Sequence, residues 1–356
     1  MNLLVSISKN IYPLDEKKMK EASQKWASLI HPPKSMGRLE DISIKLAGIY
    51  GNSVIEDSPK KCLLAFAADH GVYEEGVSPH PQELSRMQFE NFVNGKCGVG
   101  ALANFNKVDI MAVDVGLKGK EPIKGVYDYK IREGTDNISK GPAMTIAEAV
   151  KSLEIGIEVA EKCIVDGYKI IGVGEMGISN TTPSTAILSV MSGINPLEIT
   201  DMGAGLNKNL ILNKAKVIKR AIEVNNPNPT DGIEVLSKVG GFEIGAMAGV
   251  MLGCAANNIP VVLDGYISYA AALIASKINP RTKNYLIGSH LSDEIGSIEA
   301  INLLGIKPII DLDMRLGEGS GAVLVMNIID SSIYAYNHMA KFDDEPIGEL
   351  LRKWGN

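Results

Sequence analysis

The sequence predicts an α/β protein: a doubly wound, mainly parallel open sheet of Rossmann-like type, with a small helical domain made from both chain ends. Three observations carry this. Short runs of successive apolar residues recur from Lys61 onward, each ends in a glycine or polar turn, and each is followed by a stretch of helical periodicity. Successive rather than alternating apolar residues suit strands covered on both faces, and repeated strand-turn-helix units build parallel sheets. The 356 residues, 45% of them hydrophobic, are enough to bury large cores.

Residues 1–50 carry no strand pattern. Helical spacing of apolar and small residues predicts one helix from Glu16 to Leu29 and a second from Gly37 to Tyr50. Pro32 and Pro33 break the first, and Ser35 is placed to cap the second. The expected helical domain comprises 1–50 and 325–356, with a short final helix from Lys341 to Asn356 packed on the amino-terminal helices; 51–324 form the large α/β domain.

The strand-like runs are Leu63 to Ala68, Val108 to Val113, Tyr168 to Val173, Ile259 to Leu263, Tyr285 to Gly288 and Pro308 to Leu312. Helical stretches lie between them at about 147–166, 183–192, 214–224, 242–257, 267–277 and 293–304, and one more runs from near Ser320 to about Met339. In a doubly wound sheet the turns at the carboxyl ends of the strands open on one edge, where such folds place their ligands. Asp69, Asp114, Glu175, Asp264, Ser289 and Glu318 are therefore expected to converge on one cleft.

Composition narrows the partners. A net charge of -6 argues against nucleic acid or an anionic membrane, both of which reward clustered Lys and Arg, and favours small molecules. Cys62, Cys97, Cys163 and Cys254 are far apart with no C-x-x-C spacing, which predicts buried free thiols in a reducing, cytoplasmic setting and no metal site. No basic and apolar leader is visible, and no run reaches the roughly 18 apolar residues of a membrane span.

Four turns carry chemistry. In Arg315-Leu316-Gly317-Glu318-Gly319-Ser320-Gly321-Ala322, glycines on both sides of one glutamate let the backbone approach a substrate closely, and Glu318 is the first candidate for a catalytic carboxylate; the plain alternative is a solvated glutamate on a glycine loop. Gly174-Glu175-Met176-Gly177-Ile178-Ser179-Asn180-Thr181-Thr182-Pro183 follows a strand and opens a helix, with Thr182 as N-cap and Pro183 at the first helical position. Its free amides and hydroxyls make an anion site suited to one phosphate or carboxylate, since the lysine of a P-loop is missing; an ordinary capped helix is the alternative. Asp201-Met202-Gly203-Ala204-Gly205-Leu206 is a second glycine turn, with Lys214 beyond it as a point charge for a phosphate. Asp69-His70-Gly71 opens a long loop in which Asp69 reads as a structural residue, and Gln88 follows on a helix, able to offer its amide to a planar substrate. The small-residue helix after Gly240-Gly241 permits close packing, in the core or at a subunit contact.

Taken in order, these motifs resemble the nicotinate-nucleotide:5,6-dimethylbenzimidazole phosphoribosyltransferases of cobalamin biosynthesis. The resemblance runs over nearly the whole chain. It includes Pro32-Pro33 with Gly37-Arg38-Leu39-Glu40, Ala68-Asp69-His70-Gly71-Val72, Gly141-Pro142-Ala143-Met144, Gly174 to Gly177 with Asn180 to Pro183, Asp231-Gly232, Lys238 to Phe242, Leu263-Asp264-Gly265 and Arg315 to Ala322. It implies transfer of ribose-5-phosphate from nicotinate mononucleotide to an aromatic base, with inversion to an α-ribotide and release of nicotinate. It implies Glu318 as general base and Glu175 at the ribose hydroxyls or the charge developing at C1′. Gly177, Asn180, Thr181, Gly203, Gly205, Lys214, Asp264 and Ser292 are implied as phosphate and ribose contacts, and Ser78, His80, Gln88, Met176 and Leu316 as the base pocket.

The resemblance further implies a homodimer with no metal or redox cofactor. Some relatives act on phenols, forming an O-glycosidic link, and work with a homologous partner subunit; the catalytic motif does not separate the two kinds of acceptor. Ser78 to Glu83 holds two residues more than the best-known pattern, which leaves the base contact open between Ser78 and His80. The Gly203-Ala204-Gly205 turn replaces a Gly-Arg-Gly-Thr-Gly form found elsewhere in the family.

Overall fold

The computed structural model describes residues 3–350 except 202, 204, 206, 207, 345, 347 and 349. The strands are β1 (Lys61–Ala68), β2 (Asp109–Gly116), β3 (Tyr127–Asp128), β4 (Ile170–Met176), β5 (Val261–Leu263), β6 (Leu286–Gly288), β7 (His290–Leu291) and β8 (Ile310–Asp311). The helices are α1 (Leu3–Lys9), α2 (Glu16–Ser28), α3 (Arg38–Tyr50), α4 (Leu84–Val93), α5 (Gly98–Asn106), α6 (Ile146–Val165) and α7 (Thr181–Ser192). There follow α8 (Pro196–Ile199), α9 (Lys208–Asn225), α10 (Gly232–Val239), α11 (Phe242–Ala256), α12 (Tyr266–Ile278), α13 (Ser297–Leu304) and α14 (Ser320–His338).

Among the described residues the main sheet is six-stranded and parallel throughout, in the order β3-β2-β1-β4-β5-β6. That is a doubly wound order, with its reversal point between β1 and β4. β1 shows why its sequence reads as unbroken apolar: all eight residues are buried. Cys62, Leu64, Phe66 and Ala68 point into one core, with α6, α7, α11 and α12, whereas Leu63, Ala65 and Ala67 point into the other, with α2, α3, α5 and α14. Period-two alternation is present in space but invisible in sequence, because both faces are dry.

α11 is the central helix of the first layer and is buried from Phe242 to Ala255. Its small residues are needed within the chain: a Cβ on Gly156 of α6 would lie 1.9 Å from the Ala246 carbonyl, and one on Gly249 would lie 2.0 Å from the Leu153 carbonyl. On the opposite face α14 lies along β1, β4 and β5, and its far end meets α2 and α3 through Ile329, Ile333, Tyr336 and Trp26. Just beyond α14, Leu29 and Lys341 form an antiparallel bridge. The rest of the expected final helix lies largely outside the described residues.

Several local expectations are corrected. Pro308 to Leu312 does not enter the main sheet; Ile310 and Asp311 pair with His290 and Leu291 in a separate two-stranded parallel sheet, a half-exposed extension of the β6 edge. Ser35 does not cap α3, whose N-cap is Gly37 at φ 54° with no side-chain bond. α7 begins two residues before Pro183, so Asn180 and not Thr182 is its N-cap and the proline sits inside the first turn, where no amide donor is required. α9 begins at Lys208, which places Lys214 in the second turn of that helix instead of at its start. The short edge strand β3 escaped the sequence pattern because both its residues are exposed.

Candidate active site

One cavity of about 470 Å³ opens at the carboxyl ends of β4 and β5. β4 delivers Glu175 and Met176, the turn into α7 delivers Gly177, Asn180 and Thr181, β5 is followed by Asp264, and the segment after β7 carries Ser292. α9 sends Lys214 inward, the loop before α4 adds Ser78 and His80, α4 adds Gln88, and the turn before α14 adds Leu316 and Glu318.

The Glu318 turn is a run of left-handed backbone: Gly317, Glu318 and Gly319 have φ of 80°, 66° and 90°. For the two glycines this is unstrained, whereas a non-glycine residue held there costs on the order of 1–3 kcal/mol and persists only where its surroundings enforce it. They do so from several sides. Glu175 Oε1 accepts the Glu318 N–H at 3.2 Å, and Asp264 accepts the N–H groups of Gly319 and Gly321 at 2.9 and 2.8 Å. Gly174 of β4 lies so close that a Cβ there would be 2.5 Å from the Glu318 carbonyl.

The Glu318 side chain is buried and oriented at both oxygens. Gln88 Nε2 donates to Oε1 at 2.6 Å, and the Val99 N–H in the first turn of α5 donates to Oε2 at 3.2 Å. Gly98 lies beside them, where a Cβ would fall 2.6 Å from Leu316 Cδ2 and displace the tip of that side chain. Glu175 is buried to the same degree. Burial pushes its carboxyl up to about 8 despite the bond it receives from Asn180 Nδ2. Burial likewise raises Asp264 above the usual carboxylate range. Carboxyl groups raised by burial at the wall of a cavity are a feature of active sites.

Lys214, which also lines the cavity, is 1% exposed, and Nζ donates to Thr181 Oγ1 at 2.8 Å and to the Asp201 carbonyl at 3.4 Å. Burial lowers its ammonium to about 8, partly offset by Glu294 and Asp201. Gly203, Ser292 and Glu294 complete this wall. A buried cation beside hydroxyls and the first turn of α7 has the chemistry of a phosphate site. The Gly203 region is only partly within the described residues, and Gly205 is exposed and outside the lining.

Of the six strand-end residues expected to converge, Glu175, Asp264 and Glu318 do so, and Ser289 sits just behind, bonded to the Asp264 carbonyl at 2.9 Å. Asp69 and Asp114 do not line the cavity. Asp69 accepts the Lys118 N–H at 2.8 Å and Asp114 accepts the N–H groups of Gly116 and Leu117, so both brace the turns after β1 and β2. His70 turns away into a buried pair with Glu243 at 2.8 Å. Sequence reasoning did not single out Tyr266, His290 or Glu294 as lining residues. Tyr266 Oη bonds Thr185 Oγ1 at 3.0 Å from the next strand-turn-helix unit, a contact with no local signal.

The profile of a family described as phosphoribosyltransferase matches residues 11–347. A nicotinate-nucleotide–dimethylbenzimidazole phosphoribosyltransferase of Clostridioides difficile (strain 630) is 59% identical, covering 98% of this chain and 100% of its own. The chain belongs to the nicotinate-nucleotide:5,6-dimethylbenzimidazole phosphoribosyltransferase family. The enzyme of that name from Alkaliphilus metalliredigens (strain QYMF) is 53% identical over 98% of this chain and 99% of its own. The solved structure of CobT from Thermus thermophilus superposes with a TM-score of 0.88 at 35% identity, covering 92% of this chain and 98% of that one. This family shares the doubly wound sheet described above. No helix among the described residues is long and apolar enough to cross a membrane.

Proposed function

We propose that the protein transfers the 5-phosphoribosyl group of nicotinate mononucleotide to an aromatic base such as 5,6-dimethylbenzimidazole. The observation that carries this is one cavity lined by two chemically different groups: Lys214 bonded to Thr181, and Glu318 held by Gln88. The phosphate binds at Lys214 and the base at Glu318, between Leu316, Met176, Gln88 and the Ser78 to His80 loop. The base nitrogen lone pair forms the new bond to C1′. The C1′–N bond to nicotinate breaks, and its electron pair neutralises the pyridinium. Glu318 takes the proton from the second ring nitrogen, a step worth about 10²–10⁴ in rate. Glu175 and Asn180 face the ribose.

A cytoplasmic homodimer is the proposed setting. The four cysteines are buried and unpaired, which suits a reducing compartment. Exposed Ile298 on α13 and Leu312 after β8 offer apolar surface of the kind subunit contacts cover, and sedimentation velocity measures the mass.

The test of the reaction is a chromatographic assay of the purified protein with nicotinate mononucleotide, offering 5,6-dimethylbenzimidazole, benzimidazole, adenine, phenol and p-cresol in separate reactions. An α-ribotide formed with one nicotinate per turnover from a nitrogen base is the expected result. Product from phenols alone would move the acceptor class, and no product from any acceptor by folded protein would overturn the reading.

A further inference from the structure

Asp264 follows directly on β5 and is buried beneath the turn that carries Glu318. Its Oδ2 accepts the Gly319 N–H at 2.9 Å, and its Oδ1 accepts the Gly321 N–H at 2.8 Å. Gly319 is the N-cap of α14 and has no side chain to serve the free amides of the first turn. A carboxylate from a strand end 55 positions earlier does this instead, as an N-cap side chain would. The residue just before that cap is Glu318, left-handed between two left-handed glycines. His290 closes the other side: its Nδ1 lies 3.9 Å from Asp264 Oδ1, and a Cβ on Gly321 would fall 2.0 Å from Nδ1. The start of α14 therefore cannot slide toward the sheet, and the Asp264 bonds keep it from lifting away.

From these contacts we propose that Asp264 is a positioning residue, which holds the first turn of α14 by its amides and thereby fixes the backbone of Glu318 with the carboxylate facing the acceptor. Each Asp264 oxygen accepts a backbone N–H of the α14 start, which favours a positioning role over the ribose contact that sequence resemblance implies for it. The proposal rests on Glu318 being the general base and deepens that reading.

The experiment is a double-mutant cycle of Asp264→Asn and Glu318→Gln, with kcat and KM measured separately for nicotinate mononucleotide and 5,6-dimethylbenzimidazole. Asp264→Asn keeps the shape but presents an amide N–H₂ to a backbone donor, and misplacement of the base by about 1 Å is enough to cost on the order of 10²-fold. The expected result is kcat lower by about 10–100-fold with KM for the mononucleotide unchanged within about threefold. In the Glu318→Gln background the same change then costs less than about threefold, because there is no base left to misplace. A large rise in KM at retained kcat identifies a substrate contact and overturns the proposal, as does full additivity of the two losses. If Glu318→Gln alone costs nothing, the general-base reading itself fails. Should Asp264→Asn not fold, a crystal structure of the wild-type protein with nicotinate mononucleotide decides the matter. Asp264 is expected to stay on Gly319 and Gly321, and a ribose hydroxyl within about 3.2 Å of its carboxylate overturns the assignment.

Discussion

Gln88 Nε2 and Glu318 Oε1 lie 2.6 Å apart, joining two side chains 230 positions apart in the chain. The other carboxylate oxygen receives a backbone amide from α5, so both oxygens are aimed by neutral donors. A carboxylate held this way has a fixed direction and keeps further lone pairs for a proton arriving from the cavity.

Replacing that carboxylate isolates the proton transfer. Glu318→Gln retains an oxygen for Gln88 and the same left-handed turn, so circular dichroism and melting temperature are expected to match wild type while kcat falls at least about 100-fold. Turnover near wild type in that variant removes Glu318 from the role.

Removing the aiming contact has a smaller effect. Gln88→Leu deletes a hydrogen bond to a charged group, of the order of 1.5–3 kcal/mol, which corresponds to about 10–100-fold in kcat with any acceptor. The mononucleotide KM is expected to stay within about threefold, because the phosphate site is untouched. Steady-state kinetics with both substrates varied separates the two.

Lys214 predicts a pH dependence of binding. Burial depresses its ammonium to about 8 in the free protein, and an arriving phosphate favours the charged form. KM for nicotinate mononucleotide is therefore expected to rise as pH increases through about 8. Lys214→Met should have a KM at least about tenfold higher at about pH 7 with no further rise through that range. A KM insensitive to the substitution at neutral pH places the phosphate elsewhere.

Glu175 makes stability itself depend on pH. Its ordinary value is 4.5, and burial raises it to about 8 in the folded protein. Between those values the unfolded chain has given up a proton that the folded chain still holds. Stability is therefore full below about pH 4.5, falls as pH rises toward 8 and levels off above it. Lys214 adds no slope in this window, since it is protonated in both states until about 8. Thermal melts of the ligand-free protein at about pH 5 and about pH 7.5 should show a drop in wild type that is reduced in Glu175→Gln. An equal drop in both assigns the effect to other groups.

What was legible in the sequence was whatever local chemistry announces. The strands of the main sheet other than β3 read correctly because Leu63 to Ala68 is apolar at every position and its counterparts are mostly so, and the Glu318 turn was visible because left-handed backbone favours glycine on both sides of it. Contacts made across the fold left no such mark. Nothing near Gln88 points to Glu318, and nothing near Asp264 points to the amides of α14. The expectation for Asp69 and Asp114 failed to discriminate for the same reason: they end strands as Glu175 does, but their carboxylates close onto backbone amides of the turns beside them. Lys214 lines the cavity but lies in the second turn of its helix and not at its start, because Lys208 and Asn209 carry no strong start signal.

α14 begins two residues after Glu318 and covers Leu63, Ala65 and Val262 on one face of the sheet. During synthesis this has a cost in time. The described strands are all made before residue 318 leaves the ribosome, so the part of this face that α14 covers stays bare after α2, α3 and α5 have been made. The same helix that ends the wait fixes the turn of Glu318, so the sheet face and the proposed general base are completed in one step.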